Sequence, residues 1–198
     1  MINEGMERSL QKLIEKGRDN VLTKAELKAA QEAIAIGCIK YADLSHDRNH
    51  DYVFSFDRML DDRGNTAVYL LYALTRIRSI IRNANLTKSA NDISLELSEN
   101  NSFQLEHSRE LKLAKFILYF TDVIVQIVED LYLHSLCKYL YDLSVIFNEF
   151  YDQCYVIEKI KDSNETKVNL SRIVLCEATA RVIQTGLFIL GIKTVEKM

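Results

Sequence analysis

The sequence predicts an all-α fold, a helical bundle, and three observations carry that reading. The 198 residues contain no proline and only six glycines, where average usage gives about ten and about fourteen. The many tight turns of a β-sandwich lean on those two residues. Long stretches repeat apolar residues at spacings of three and four, and capping signals stand where several of them begin. With 48% hydrophobic and 27% charged residues, the chain has the material for an ordinary core of one to two domains and not the composition of a disordered segment.

The elements follow in order. Leu10, Leu13 and Ile14, with Met6 before them, mark a helical face over Glu7 to Lys16, and Gly17 is its stop. Thr23 and Glu26 form a capping box that opens a helix to about Lys40, with Leu27, Ala30, Ile34 and Gly37 on one side. Residues 41 to 56 are less periodic. The alternation in DYVFSF, 51 to 56, suits a short strand or an extended segment, too little for a sheet. Asp61 to Thr66 is a turn and cap cluster. From Asn65 or Thr66 a helix runs to about Asn83, with Leu70, Leu74, Ile77, Ile81 and Ala84 as its buried stripe. Residues 85 to 103 read as a polar loop with one weak helical stretch. Helices follow at about Phe103 to Tyr119, Thr121 to Asp130 and Leu133 to Cys154. Residues 158 to 167 read as a solvated loop. The last helix spans about Asn169 to Leu190, and Gly191-Ile192 has the form of a Schellman ending.

The net charge of −3 announces neither nucleic acid nor an acidic membrane surface, so any basic site must be local. One is present. From Arg63 through Asn91 there is no Asp or Glu, while Arg63, Arg76, Arg78, Arg82 and Lys88 all fall inside. On a helical wheel Tyr69, Tyr72 and Arg76 share a face beside the apolar stripe, and Arg78 and Arg82 lie opposite it. Aromatic rings stack on unpaired bases, and a guanidinium neutralises phosphate or stacks in turn. Spacing alone favours the plainer reading of a solvated helix whose tyrosines straddle the core boundary.

Cys38, Cys137, Cys154 and Cys176 include no CxxC pair and read as reduced core cysteines of an intracellular protein. The longest apolar runs, Phe116 to Phe120 and Gly186 to Ile192, are far short of the ~20 residues of a membrane span. The start, MINEGMERSLQ, lacks the basic and apolar regions of a signal peptide.

At this point the residues resemble a family. KYADLS at 40 to 45, DYVFSFDRML at 51 to 60 and GNTAVYLLYALTRIRSI at 64 to 80 are similar to a block of arginyl-tRNA synthetases, closest to the eukaryotic cytosolic type. CEATARVIQTGLFILGIKTVEKM, 176 to 198, resembles that family's C-terminus, and FYDQCYV, 150 to 156, falls where the family has an aromatic segment. The resemblance covers essentially the whole chain. It implies the helical anticodon-binding domain of class I aminoacyl-tRNA synthetases at 63–198. It further implies that residues 1–62 are tRNA-contacting helices leaving the catalytic domain, with Met1 the start of a fragment. The implied tRNA-binding residues are Gly64, Asn65, Thr66, Tyr69, Tyr72, Arg76, Tyr155 and Met198, with Tyr151 a rival to Tyr155. The implied partners are tRNA(Arg), recognised chiefly through the central cytosine of its anticodon, and the catalytic domain of the same enzyme. No membrane partner is implied, and the setting is cytoplasmic. Relatives often carry proline where this chain has Val68, Thr121 and Thr194, which leaves those turns to capping and packing.

The chain has no HIGH-type motif, no KMSKS-like loop and no glycine-rich nucleotide turn. The expectation is therefore no catalytic residue and no cofactor in this chain, ATP belonging to the intact enzyme, and no activation of arginine by the chain alone. His46 and His50, flanked by Asp43, Asp47 and Asp51, have an i,i+4 metal spacing but no third fixed ligand, and read as a hydrated surface cluster, with His46 a candidate to face RNA backbone. Cys154 lacks a His–acid arrangement nearby in sequence and reads as a core thiol. His134 reads as a core or boundary histidine. Most of the aromatic series from Tyr132 to Tyr151 reads as packing. The alternative to a tRNA-binding region is a free-standing helical module that docks on proteins.

Overall fold

The computed structural model describes residues 1–159 and 166–198. In order, the elements are α1 (Ile2–Glu15), a 3-10 turn (Arg18–Asn20), α2 (Lys24–Leu44), the short α3 (Phe56–Met59), α4 (Ala67–Asn83), α5 (Ala90–Glu99), α6 (Ser108–Leu118), α7 (Phe120–Asp130), α8 (Leu133–Gln153), β1 (Ile157–Lys159), β2 (Thr166–Val168) and α9 (Leu170–Ile189). The all-α bundle is what the patterning predicted.

Local signals set most boundaries. Gly17 stops α1 in the left-handed region at φ 66°. The Thr23–Glu26 capping box is present: Thr23 Oγ1 accepts from the Glu26 N–H, and the Glu26 carboxylate accepts from the Thr23 N–H. At the other end of the chain, Gly191 N–H donates to the Phe188 carbonyl at 2.9 Å and Ile192 N–H to the Leu187 carbonyl at 2.8 Å. Gly191 itself sits at φ 65°, which completes the Schellman ending. Buried Ile192 then packs back towards α2, where a Cβ on Gly37 would lie 3.0 Å from it.

Helix α4 is the central pillar. Leu70, Leu71, Leu74 and Ile77 are all but inaccessible, because α2, α8 and α9 pack around it. Its buried surface is thus wider than the single stripe the spacing predicted. Complete burial of such a side chain contributes about 1.5–3 kcal/mol. Against it, α8 contributes Leu136, Leu140, Leu143 and Phe147, and α9 contributes Ile173, Cys176, Ala180 and Ile183. A Cβ on Gly186 would stand 2.6 Å from Leu140 Cδ2, so glycine is what lets α9 close on α8. One continuous core runs from Leu13 to Met198, and residues 1–62 share it with the rest of the bundle.

Several expectations are corrected. Helix α1 starts at Ile2, not Glu7, because Gly5 and Ser9 are buried and extend its packed face. Helix α2 continues to Leu44, with Tyr41 buried in its last turn. Helix α6 starts at Ser108 rather than near Phe103. His107 Nδ1 accepts from the Arg109 N–H, and the buried Glu110 carboxylate accepts from the Glu106 and His107 N–H groups while Arg172 Nε donates to it at 2.6 Å. That clamp holds the preceding residues out of the helix. The 158–167 loop is flanked by a short antiparallel pair, with Ile157 opposite Val168 and Glu158 opposite Lys167; its residues 160–165 lie outside the described residues. DYVFSF forms no strand: 51–55 have no ladder partner and Phe56 opens α3. Among the described residues, no helix is long and apolar enough to cross a membrane.

Candidate nucleic-acid interface

The turn before α4 is built by its own polar side chains. Asp61 Oδ1 accepts from the Arg63 N–H at 3.0 Å, and the Thr66 hydroxyl donates to the Asp61 carbonyl at 2.7 Å. Thr66 Oγ1 in turn accepts from the Tyr69 N–H. Thr66 therefore caps α4 and ties the turn shut, which supplies what a first-turn proline would give; Val68 in its place is buried. Gly64 sits at φ 75° with open space around it, so the backbone conformation is what requires glycine there. Asn65 turns its amide inward, with Oδ1 2.5 Å from the Tyr41 hydroxyl, which also lies 2.9 Å from the Cys137 carbonyl. The hydroxyl has one proton to give. Tyr41, on α2, thus stands between the exposed turn and α8 with its proton going to one of these two oxygens, and burial pushes its phenol far up, so it stays neutral. Beside the turn opens a cavity of about 180 Å³ lined by Tyr41, Tyr52, Arg58, Asn65 and Thr66, with His46 on its wall. His46 stacks on Tyr52 at 4.3 Å between centroids.

One turn further along, α4 meets α8. The Tyr69 ring lies 5.4 Å from Tyr141, and its hydroxyl oxygen accepts from Asn148 Nδ2 at 2.9 Å. Arg76 Nη1 donates to Asn148 Oδ1 at 3.3 Å, and the guanidinium lies over the Tyr151 ring at 5.0 Å. Tyr69, Tyr141, Asn148 and Tyr151 are half-buried and Arg76 is exposed. The result is an open patch of aromatic faces around one cation. Burial pushes the Tyr69 phenol above its ordinary value, against the Asn148 hydrogen bond and the Arg76 charge.

Tyr72 departs from this patch. Lys16 at the end of α1 lies over its ring at 4.4 Å and is ion-paired with Asp62. Burial opposes the Lys16 charge, but Asp62 and Tyr72 hold the ammonium above its usual pKa. Tyr155 is exposed, its carbonyl accepting from Arg172 Nη1 at 2.6 Å. Of the two candidates in the later aromatic segment, Tyr151 is the one against Arg76. The Met198 side chain is buried. The residues before it are tied at the far end of α4, where Arg82 Nη1 donates to the Glu196 carbonyl and Lys197 pairs with Glu26. From Tyr69 to Arg82 is about 20 Å along the helix at 1.5 Å per residue. The structure thus brings Tyr69 and Arg76 together, sets Gly64, Asn65 and Thr66 in the adjoining turn, and carries Tyr72 and Met198 into other contacts.

Tertiary pairing also redistributes the basic window. Arg78 donates to Glu177 at 2.8 Å and to Gln184 at 2.8 Å, half-buried against α9. Arg82 faces Glu196 and Lys88 pairs with Glu96. Among the described residues, Arg63 and Arg76 are the cations of this window with no carboxylate partner. Both flank the aromatic patch and its turn. Asn148, Tyr141 and Lys16 carry no motif that marks them in the sequence; only the packing of α4 on α8 and α1 reveals them.

The histidine cluster takes a different form from a metal site. His46 Nδ1 is 2.6 Å from the Ala42 carbonyl and His50 faces Asp47 at 3.4 Å, around a cavity of about 530 Å³ that His134 also lines. Among the described residues no group of three or more ligating side chains could hold a metal ion. The four cysteines are buried and unpaired. Burial pushes the Cys38, Cys137 and Cys176 thiols up to about 12, and raises Cys154 as well.

Comparison with known proteins gives this geometry a context. The model of the DALR anticodon binding domain matches residues 70–198, and that of the class I (R) tRNA synthetase catalytic domain matches residues 1–56. The chain is 56% identical over 199 residues to the cytoplasmic arginine–tRNA ligase of Xenopus tropicalis and 52% identical to that of Homo sapiens, covering all of this chain and 30% of each relative. It spans less than a third of the length of these curated relatives. The arginyl-tRNA synthetase structure of Plasmodium falciparum superposes with a TM-score of 0.82 at 34% identity, over 100% of this chain and 33% of that one. That of Thermus thermophilus gives 0.78 at 25% identity, over 100% and 31%. Residues 70–198 place the chain in the DALR anticodon binding domain family, and residues 1–56, ahead of that domain, match the class I (R) tRNA synthetase catalytic domain.

Proposed function

We propose that this chain recognises the anticodon loop of tRNA(Arg) and orients the tRNA within a cytoplasmic arginyl-tRNA synthetase, whose intact form ligates arginine to tRNA(Arg) with ATP. The single observation that carries the reading is the patch of Tyr69, Tyr141 and Tyr151 around Arg76, a guanidinium with no carboxylate partner among the described residues. Unpaired bases stack on such rings, and the cation meets phosphate or a base face. Gly64, Asn65 and Thr66 supply the adjoining turn, and Tyr72, held on the α1 side under Lys16, and the exposed Tyr155 are further candidates to meet the loop. The chain contributes position, not chemistry: holding the anticodon fixes where the acceptor end falls in a catalytic domain. That domain, the binding of ATP and the catalytic residues belong to the intact enzyme in this reading.

The test is binding of an arginine tRNA transcript against one whose central anticodon cytosine is replaced. The expected result is a clear preference for the arginine transcript and affinity that falls steeply with salt, by about 0.7 log units per log unit of salt for each phosphate neutralised. No arginine-dependent ATP–pyrophosphate exchange is expected from the chain alone. A second reading, a module that docks on proteins, draws on the exposed Leu118, Val125, Val128 and Leu131 along α7 and its ends. Salt-insensitive binding with no preference for arginine tRNA would favour it.

A further inference from the structure

Asn148 stands on α8 between two residues of the proposed interface and contacts both. Arg76 Nη1 donates to its Oδ1 at 3.3 Å, and its Nδ2 donates to the Tyr69 hydroxyl oxygen at 2.9 Å. The two ends of an amide are ordinarily interchangeable. Here they are not. A guanidinium has only donors, so the end facing Arg76 must be the oxygen, and the end facing Tyr69 must be the NH2 group. The consequence falls on Tyr69. Its oxygen accepts from Asn148, so its own proton is not spent on that contact. Among the described residues, no acceptor takes that proton. The ring edge is half-buried against Tyr141, and the hydroxyl is left to direct its proton away from Asn148, towards the open side of the patch.

We infer that Asn148 is a positioning residue that relays the donor-only character of Arg76 into Tyr69, fixing the Tyr69 hydroxyl as an outward hydrogen-bond donor to an acceptor oxygen of a bound nucleotide. The relay runs through groups whose polarity is set one after another: Arg76 gives, Asn148 receives and gives, Tyr69 receives and gives. The acceptor is a pyrimidine carbonyl or a phosphate oxygen. This rests on the RNA-binding reading above, and the test separates the two.

The test is a mutant cycle on Asn148 and Tyr69, with the full chain and an arginine tRNA transcript. Asn148→Asp keeps the shape and the link to Arg76 but can only accept. It draws the Tyr69 proton inward and removes the outward donor. Asp also gives Arg76 a carboxylate partner, which costs affinity whatever Tyr69 does, so the relay is read from the part of the loss that disappears once Tyr69 has no hydroxyl. The expected result is a loss of about tenfold in affinity for Asn148→Asp and about tenfold for Tyr69→Phe. In the Tyr69→Phe background Asn148→Asp should lose clearly less than in the wild type, because the donor is already gone and only the effect on Arg76 is left. Asn148→Ala, a good helix former, runs the same cycle if the Asp variant does not fold, and a smaller loss of about threefold is expected from the freed hydroxyl. Adenine at the central anticodon position, which has no carbonyl, separates the two acceptors: a loss on Tyr69→Phe confined to the cytosine transcript marks a base carbonyl, and an equal loss on both marks phosphate. Wild-type affinity in Asn148→Asp, or the same loss in the Tyr69→Phe background as in the wild type, would overturn the relay while leaving tRNA binding intact. A wild-type chain that binds no tRNA would remove the RNA reading, and the relay with it.

Discussion

Two arginines two positions apart on α4 do opposite work. Arg78 turns towards α9, where Glu177 and Gln184 take its guanidinium at 2.8 Å each in a half-buried site. Arg76 turns towards α8, where an amide oxygen and the face of Tyr151 receive it without neutralising it. The α9 side of the helix is a closed electrostatic account, and the α8 side is open. A run of basic residues therefore says little about which cations reach a ligand. Availability is decided by the carboxylates that distant segments bring, here one that is 99 residues away in the chain.

The contrast can be broken from either side. The largest effect belongs to Arg78→Met, which leaves the Glu177 carboxylate, among the described residues, with Arg181 as its remaining cation. Breaking a buried pair costs about 3–5 kcal/mol, and with both side chains partly solvated we expect about 2–3 kcal/mol in denaturant unfolding, with RNA affinity unchanged in the folded fraction. Tyr69→Ala reverses the pattern: about 1–3 kcal/mol of tRNA binding should be lost, with little change in stability because the ring is half-buried. An unaltered affinity in the folded mutant would remove Tyr69 from the interface. Thr66→Ala sharpens the comparison at the shared turn. Loss of the cap should cost about 1 kcal/mol of stability, measurable as a lower melting temperature, and should loosen Gly64 and Asn65 enough to weaken binding as well. Smallest in stability is Arg76→Met, expected within about 0.5 kcal/mol of wild type by denaturant unfolding, since no ion pair is lost.

What was legible in the sequence was what is local. The Thr23–Glu26 box and the Gly191 ending involve residues within a turn of each other, and both formed as read. The α4 boundaries were legible for the same reason, with Thr66 as the cap. The start of α6 was not, because its clamp depends on Arg172 reaching Glu110 across the fold. Nor were the strands at 157–159 and 166–168, where three residues each leave almost no alternation to read. In the candidate site, the tyrosine and arginine spacing placed Tyr69 and Arg76 on one face correctly. It also placed Tyr72 there, and only the arrival of Lys16 and Asp62 draws that ring towards α1. Asn148 had no signal at all: an asparagine in a long helix is unremarkable until the partner 79 residues before it is in place.

In the proposed interface Arg76 meets RNA and Arg78 does not. This difference is tested most directly by the salt dependence of tRNA binding in wild type, Arg76→Met and Arg78→Met, each measured on folded protein. Arg76→Met is expected to lower the slope of log affinity against log salt by about 0.7, the share of one phosphate, and Arg78→Met to leave the slope where it was. A slope unchanged by Arg76→Met, or lowered as much by Arg78→Met, would contradict it.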